Sequence, residues 1–486
     1  MEEFINKIVS YIWSDALVYL ALSLGVYFTI ATRGVQFRYL KEMIRLLFDK
    51  QISDKGVSSF QAFCLALSGR IGVGNIAGVA TAISSGGPGA VFWMIVMGFL
   101  GGASAFVEST LAQLYKENSH GQYRGGTAFY IEKGLKLKSF AILVAIVTGI
   151  SYGILVPGVQ VNTISDSFNT AFGLSPTVTT LLVVTPLAFI VFGGVKRITN
   201  VADKVVPFMA IGYVLMMVII LAFHLPQIPS MFALIIKSAF GMDAVFGGLV
   251  GTAVSWGVRR AVFSNVAGAG EATFSSAAAE VSHPAKQGLV QGFSVYIDTV
   301  VVCTATALMI LSTNMYNVKG PNNTMLVEYL PGVEAGTAFT QAAVSTVFTN
   351  FGASFVAIAV FLFAFTCLLA YYYIAETTLV FLDRQQRFPM LKNVLKLVFL
   401  IVCFFGGINS ASLMWALGDI GFGSMCYLNF IAIFLLSKKA FKVLKDYDEQ
   451  KKQGLDPIFD PRTVGIEDAD FWIEYSDRYK YHREDK

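Results

Sequence analysis

The residues best suited to chemistry in this chain lie where a hydrophobic sequence should have none. Leu67 to Ile83 reads LSGRIGVGNIAGVATAI, four glycines, an arginine and an asparagine inside an apolar run. A second stretch, GLVGTAVSWGVRRAVFSNVAGAGEATFSSAAAE from Gly248 to Glu280, repeats the pattern. In each, glycines flank an asparagine, Asn75 in the first and Asn265 in the second. Glycine lets a helix unwind with little strain and lets a ligand approach the backbone. An unwound turn exposes N–H groups that suit a carboxylate, because orphan donors and the helix dipole both favour an anion. The carbonyls exposed at its other side suit a hard cation such as Na⁺. Together they could hold a zwitterion and a cation. Small-residue spacing also serves plain helix packing, but two such clusters in matching places favour the binding reading.

The elements that must position these residues are membrane helices. Of 486 residues, 55% are hydrophobic and only 14% charged, well below the quarter charged that soluble domains carry. The apolar runs are continuous rather than alternating, which predicts helices and not a barrel. Spans are expected near 12–31, 59–84, 88–110, 139–158, 176–195, 205–224, 244–262, 286–312, 346–374, 394–413 and 415–436. The connection after the first span is basic (Arg33, Arg38, Lys41, Arg45, Lys50, Lys55), the next is the uncharged turn SGGPGA, and basic residues collect on every second connection from there on. That is the positive-inside pattern for eleven spans with an outside N-terminus and a cytoplasmic C-terminus.

With the first span set aside, ten remain. Split five and five, the halves place their damaged spans, the second and seventh, first in each. An odd number of spans per half forces opposite topology, and Gly-broken spans in corresponding positions point to an inverted-repeat transporter. The expected organisation is an all-α integral membrane domain over 1–437, with an extra helix at 12–31, repeat one at 59–224 and repeat two at 244–436. A polar cytoplasmic tail follows over 438–486. The localisation is a cell membrane, plasma or bacterial inner.

Other classes find no support. The five cysteines, Cys64, Cys303, Cys367, Cys403 and Cys426, all sit in apolar segments without metal-ligand or disulfide spacing. Four histidines form no catalytic pattern, and no phosphate-cradling loop is present. The start MEEFINK is acidic and lacks the pattern of a cleavable signal. No enzyme activity, organic cofactor or nucleic-acid partner is expected, and the oligomeric state is left open.

The segments GNIAGVATAI…GGPGAVFWM, FVESTLAQLYKE, GQYRGGTAFYIEKGL, VRRAVFSN, HPAKQGLVQGF, YIDTVVVCTA and FAFTCLLAYYYIAETT together resemble the alanine or glycine:cation symporter family, in register to about residue 437. Gly72 to Asn75 is also similar to the first broken helix of neurotransmitter-type sodium symporters. The resemblance implies a Na⁺- or H⁺-coupled importer of a small neutral amino acid, alanine or glycine foremost, with the five-plus-five fold. It implies a substrate site built from Gly69, Val73, Gly74, Asn75, Gln160, Asn265, Cys367 and Tyr371, with Gly74 N–H and the Asn75 amide on the carboxylate. It implies a sodium site from the Ser68 and Ile71 carbonyls with Thr366 and Cys367. Gln160 and Asn162 match a family patch, where lining the outer site and capping the span are the two readings.

The chain departs from the family pattern at this site. Val73 replaces a threonine, Cys367 replaces a threonine, Val266 replaces a glutamate, and a new acid appears at Glu271. Altered substrate, altered coupling and lost transport with retained fold are the competing explanations, the last making the protein an amino acid sensor. Arg70, Asp298 and Glu271 are charges at membrane depth, where charge is costly and usually functional. They are read as gate, substrate contact or buried ion pair, with Arg259, Arg260 and Asp298 as pairing candidates and Glu271 or Asp298 as a proton relay if H⁺ is the coupling ion. Glu108 and Glu376 are expected at inner span ends, bound to basic loop residues.

Overall fold

The structure, a computed structural model, describes residues 2–49, 56–119, 121–320, 324–385 and 387–484; Lys50 and Lys55 of the first basic connection lie outside them. Among the described residues, eight helices are long and apolar enough to cross a membrane, and a bent pair makes nine. The eight are Glu3–Ala31, Gly89–Leu114, Lys138–Phe172, Lys196–Phe223, Pro284–Ser312, Gly352–Leu382, Met390–Ile408 and Ala411–Lys452. The bent pair is Ser59–Arg70 with Gly74–Gly86, turned by 54°. Two further expected segments are present as shorter helices. Pro176–Phe192 has 17 residues. Val250–Asn265 has 16, about 24 Å at the standard rise, and stops short because its glycine cluster ends it.

The helices divide by what they face. In an apolar 18-residue stretch of each, 28% of Lys196–Phe223 and 22% of Met390–Ile408 lie buried, against 78% for Pro284–Ser312. The outer helices turn Phe208, Ile211, Leu215, Val218, Leu397 and Ile401 outward, which suits lipid tails as their solvent. The inner ones carry the polar residues: Ser68, Arg70, Asn75, Glu108, Asn265, Glu271, Gln291 and Asp298 are all buried. In lipid a polar side chain is tolerable only where the protein encloses it, so this composition sends the two glycine-rich segments to the centre.

Two inner spans are wound loosely beside that centre. Ser151–Leu155 and Tyr296–Cys303 are π-helical. In the first, Val156 N donates to Ser151 O at 2.9 Å, one residue further back than an α-helix allows, just before Pro157, which has no N–H to give. Short antiparallel hairpins sit outside the helices, with Glu117–Ser119 paired to Gln122–Arg124 and Asn317–Lys319 to Met325–Glu328.

The last long helix, Ala411–Lys452, runs through residue 437 without interruption, so the expected start of the tail falls inside it. Beyond that helix the chain folds back onto the body. Phe459 N donates to Ser282 O at 2.9 Å, Lys286 Nζ lies 2.8 Å from Asp456 Oδ1, and Trp472, fully buried, donates from Nε1 to Gln113 O at 2.8 Å.

A polar centre between two broken helices

The first break begins when the Ser59–Arg70 helix ends and Ile71 takes ψ 88°. Its freed donors find side chains. Gly72 N donates to Asn75 Oδ1 at 2.8 Å, and Val73 N to Gln160 Oε1 at 3.3 Å. Its freed carbonyls face a thiol, Cys367 Sγ standing 3.2 Å from Gly69 O and 3.6 Å from Ile71 O. Gly72 must be glycine: a Cβ there would lie 2.5 Å from Cys367 Sγ and 3.1 Å from Gln160 Oε1. Gln160 Nε2 donates onward to the Tyr371 hydroxyl at 3.0 Å, and the Tyr371 ring lies 5.3 Å from that of Tyr152. Gly69, Ile71, Val73, Gln160, Cys367 and Tyr371 therefore lie together at the first break, with Gln160 bonded to Val73 N and the Tyr371 hydroxyl.

Other expected residues go elsewhere. The Asn75 amide is engaged within the protein: Oδ1 caps its own break, and Nδ2 donates to Asp298 Oδ1 at 2.7 Å. Here it braces the break, where the sequence reading had it assisting a carboxylate. Thr366 Oγ1 donates back to Leu362 O and Phe363 O and points toward Met209; a quarter-turn of helix separates it from Cys367, so it does not meet the carbonyls of the break. Ser68 Oγ bonds Leu65 O in its own helix, while the expectation for Ser68 concerns its backbone carbonyl. Asn162 Nδ2 donates to Gly406 O and Asn409 O, at 3.1 and 2.7 Å, which ties two helices together and leaves it outside the centre.

The second break follows Asn265. Val266 is left-handed (φ 46°), as are Gly268 (91°) and Gly270 (87°), after which the chain re-enters a helix at Ala272–Ala278. A β-branched residue in that region is strained. Asn265 Oδ1 accepts from Ala267 N at 2.9 Å, and its Nδ2 donates to Thr299 Oγ1 at 3.0 Å. The freed donors of this break are taken by Glu108: its Oε2 accepts from Gly268 N and Gly270 N, both at 3.1 Å, and from Asn429 Nδ2 at 2.9 Å. Glu108 was expected to bind a basic loop residue. It is instead wholly buried, because an internal carboxylate satisfies the N–H end that unwinding creates. Glu376 does meet a basic residue outside the helices, Arg124 Nη2 at 3.4 Å.

Arg70 takes the form of a buried ion pair. Nη1 donates to Gln291 O at 3.1 Å and Ser294 Oγ at 2.6 Å, and Nη2 stands 3.9 Å from Glu108 Oε1. Arg259 and Arg260 do not pair with Asp298; both reach Asp419 in the last long helix, Arg260 Nη1 at 3.3 Å. Asp298 accepts from Asn75, from Ser264 Oγ at 3.2 and 3.1 Å, and from Thr299 Oγ1 at 2.7 Å. Glu271, first residue past the second break, lies against Gly69 of the first. Sequence reasoning missed Asp419, Asn429, Gln291 and Ser294. Asp419 had a usable signal, an acid inside an apolar run; the others are polar residues of a kind common in membrane helices.

These features define a multi-pass helical membrane protein with a polar centre held between two unwound helices. Residues 1–461 match the sodium:alanine symporter family, and the chain belongs to it. It is 56% identical to YrbD of Bacillus subtilis (strain 168), over 97% of this chain and 98% of that one. It is 51% identical to the sodium/proton-dependent alanine carrier protein of Bacillus sp. (strain PS3), over 88% and 97%. Against the sodium/alanine symporter AgcS of Methanococcus maripaludis it is 33% identical, over 92% and 97%.

Proposed function

We propose that the protein is a secondary active symporter in which Na⁺ moving down its gradient draws in a small neutral amino acid, alanine or glycine foremost. The observation that carries this reading is the pair of breaks at the polar centre of a chain from the sodium:alanine symporter family. A helix that kept its winding would offer a zwitterion no peptide group; here two helices give up a turn beside one another. The domain over 1–437 has eleven spans, an extra helix followed by inverted repeats at 59–224 and 244–436, with the N-terminus outside and the C-terminus, including 438–486, in the cytoplasm. Alternating access comes from rocking of one bundle against the other about the centre.

In this reading the substrate carboxylate meets the Gly74 N–H, with Gln160 and Tyr371 as its polar wall. Na⁺ meets the Gly69 and Ile71 carbonyls on the Cys367 side. Asn75 and Asn265 hold the two breaks in shape. Loss of the Thr hydroxyls at positions 73 and 367 weakens ion binding without removing its backbone ligands. A relative's name includes protons with sodium as coupling ion, so the test carries both ions. Purified protein in liposomes is assayed for labelled alanine, glycine and serine uptake under an inward Na⁺ gradient, an inward H⁺ gradient, or neither. Accumulation driven by Na⁺ is expected. Accumulation driven by H⁺ alone reassigns the ion, and binding without accumulation under either gradient removes symport.

A further inference from the structure

We infer that Glu271 forms a second Na⁺ site, one helical turn from the carbonyls of the first break. Glu271 is buried, and neither carboxylate oxygen meets a donor in full hydrogen-bond geometry among the described residues; the Tyr152 hydroxyl, itself without another partner, is the donor beside it. An ionised carboxylate enclosed with a single hydroxyl beside it is among the least stable arrangements a protein can hold, and an undersatisfied buried group calls for an ion or water to complete it. The two other carboxylates of the centre are better supplied: Asp298 by Asn75, Ser264 and Thr299, and Glu108 at Oε2 by two backbone N–H groups and Asn429, its Oε1 having only the Arg70 ion pair. Arg70 gives Nη1 to Gln291 O and Ser294 Oγ, and its Nη2 stands 3.9 Å from Glu108 Oε1, with no hydrogen bond to Glu271. Three acids against one arginine leave negative charge uncovered, and it falls on Glu271.

The surroundings fit a small hard cation. Glu271 lines a cavity of about 10 Å³ together with Leu65, Ala66, Ser275, Ala370 and Tyr373, a size on the order of one water molecule or one bare ion. Na⁺ prefers oxygen ligands, and the wall offers the carboxylate and the Ser275 hydroxyl. Gly69 keeps the space: a Cβ there would fall 2.0 Å from Glu271 Oε1, so any larger residue would push the carboxylate out. Leu65 and Ala66 lie a turn before Gly69 and Ile71, and Ala370 a turn beyond Cys367. The cavity is thus separate from the carbonyls assigned to the first ion, and it places a second ion between the two broken helices, which Glu271 and Gly69 bring into contact.

The inference goes beyond the symport reading, and binding tests it without transport. Purified protein in detergent, free of amino acid, is titrated with radioactive sodium at constant ionic strength, and its melting temperature is followed against Na⁺. Wild type should bind Na⁺ saturably and melt higher as it does so. Glu271→Gln should lose one equivalent, or bind roughly tenfold more weakly, and Ser275→Ala should weaken binding less. Cys367→Ser should leave this equivalent in place. Unchanged Na⁺ affinity and number in Glu271→Gln, or no Na⁺ binding by wild type, overturns the site. Should Glu271→Gln fail to fold, Glu271→Asp and Ser275→Ala decide it, and wild-type isotherms in both overturn it. Failure of Na⁺-driven uptake with binding still lost in Glu271→Gln would remove the symport reading and keep this one.

Discussion

Asn75 Nδ2 and Asp298 Oδ1 lie 2.7 Å apart, and that bond joins the first broken helix to the π-wound stretch Tyr296–Cys303. Asp298 also accepts from Ser264 and Thr299, and Thr299 accepts from Asn265. The two asparagines that mark the breaks are therefore linked through one carboxylate. Whatever moves one break must act on the other through Asp298.

Removing the first of these links should be costly. Asn75→Ala strands Gly72 N–H at full burial, at roughly 1–3 kcal/mol, and leaves Asp298 Oδ1 with Ser264 Oγ alone. Uptake should be lost together with a clear fall in melting temperature. Asp298→Asn should destabilise as well, because its amide keeps one acceptor oxygen and turns an NH2 toward groups that now donate to the other. An Asn75→Ala protein with wild-type melting and uptake would show that the bridge is idle.

Glu108 should behave as an anchor of the second break. Glu108→Ala leaves Gly268 N–H and Gly270 N–H without an acceptor, leaves Asn429 Nδ2 only Gly268 O, and takes from Arg70 its paired carboxylate. Breaking a buried pair in this way costs about 3–5 kcal/mol. Glu108→Gln keeps one oxygen for the three donors and should fall between it and wild type. Thermal melting of the three proteins in one detergent orders them; equal melting of Ala and wild type contradicts the role.

Much of this was legible in the sequence because membrane burial is written in composition. The apolar runs mark the spans, and the glycine clusters at 69–78 and 266–270 mark the breaks, since little else unwinds an apolar helix. The convergence of Val73, Gln160, Cys367 and Tyr371 followed from the family pattern. What was hidden depends on rotation about a helix axis. Thr366 and Cys367 are neighbours in sequence, yet about 100° of helix turn sends the hydroxyl to Met209 and the thiol to the break. Glu108 looked like the end of a span because basic residues follow it closely; its helix continues to Leu114 and carries it inside. Asn75 and Glu108 both show that freed peptide groups are first answered by the protein's own side chains.

Acid should loosen the outer clasp between the helix Leu40–Leu47 and the end of Ala411–Lys452. Glu42 accepts from Arg45 Nε and Nη2 at 2.8 and 2.7 Å and from the Tyr447 hydroxyl at 2.8 Å, with Lys451 Nζ at 3.1 Å. Hydrogen bonding from Arg45, above all, pulls its carboxyl from 4.5 down to about 2. A carboxyl depressed by folding lends stability that is complete above its unfolded value and fades as pH falls. The clasp should hold above about pH 4.5 and weaken between there and about pH 2. Protease cleavage near Lys451 should rise across that window in wild type. In Glu42→Gln it should be raised at neutral pH and flat across the window; a wild-type slope in that variant would discount the clasp.

Cys367 offers the sharpest test of how this chain handles its first ion. Its thiol faces Gly69 O and Ile71 O at 3.2 and 3.6 Å, the carbonyls proposed to hold Na⁺. Sulfur is a soft ligand and adds little to a hard cation. Cys367→Ser swaps in an oxygen with almost no change of shape, and one added neutral oxygen ligand is worth about 1 kcal/mol. The Na⁺ concentration for half-maximal alanine uptake should therefore fall by roughly fivefold, with the maximal rate little changed. Cys367→Ala, which supplies no ligand, should match wild type in its Na⁺ dependence. A serine variant that needs as much Na⁺ as wild type would move the ion away from these carbonyls.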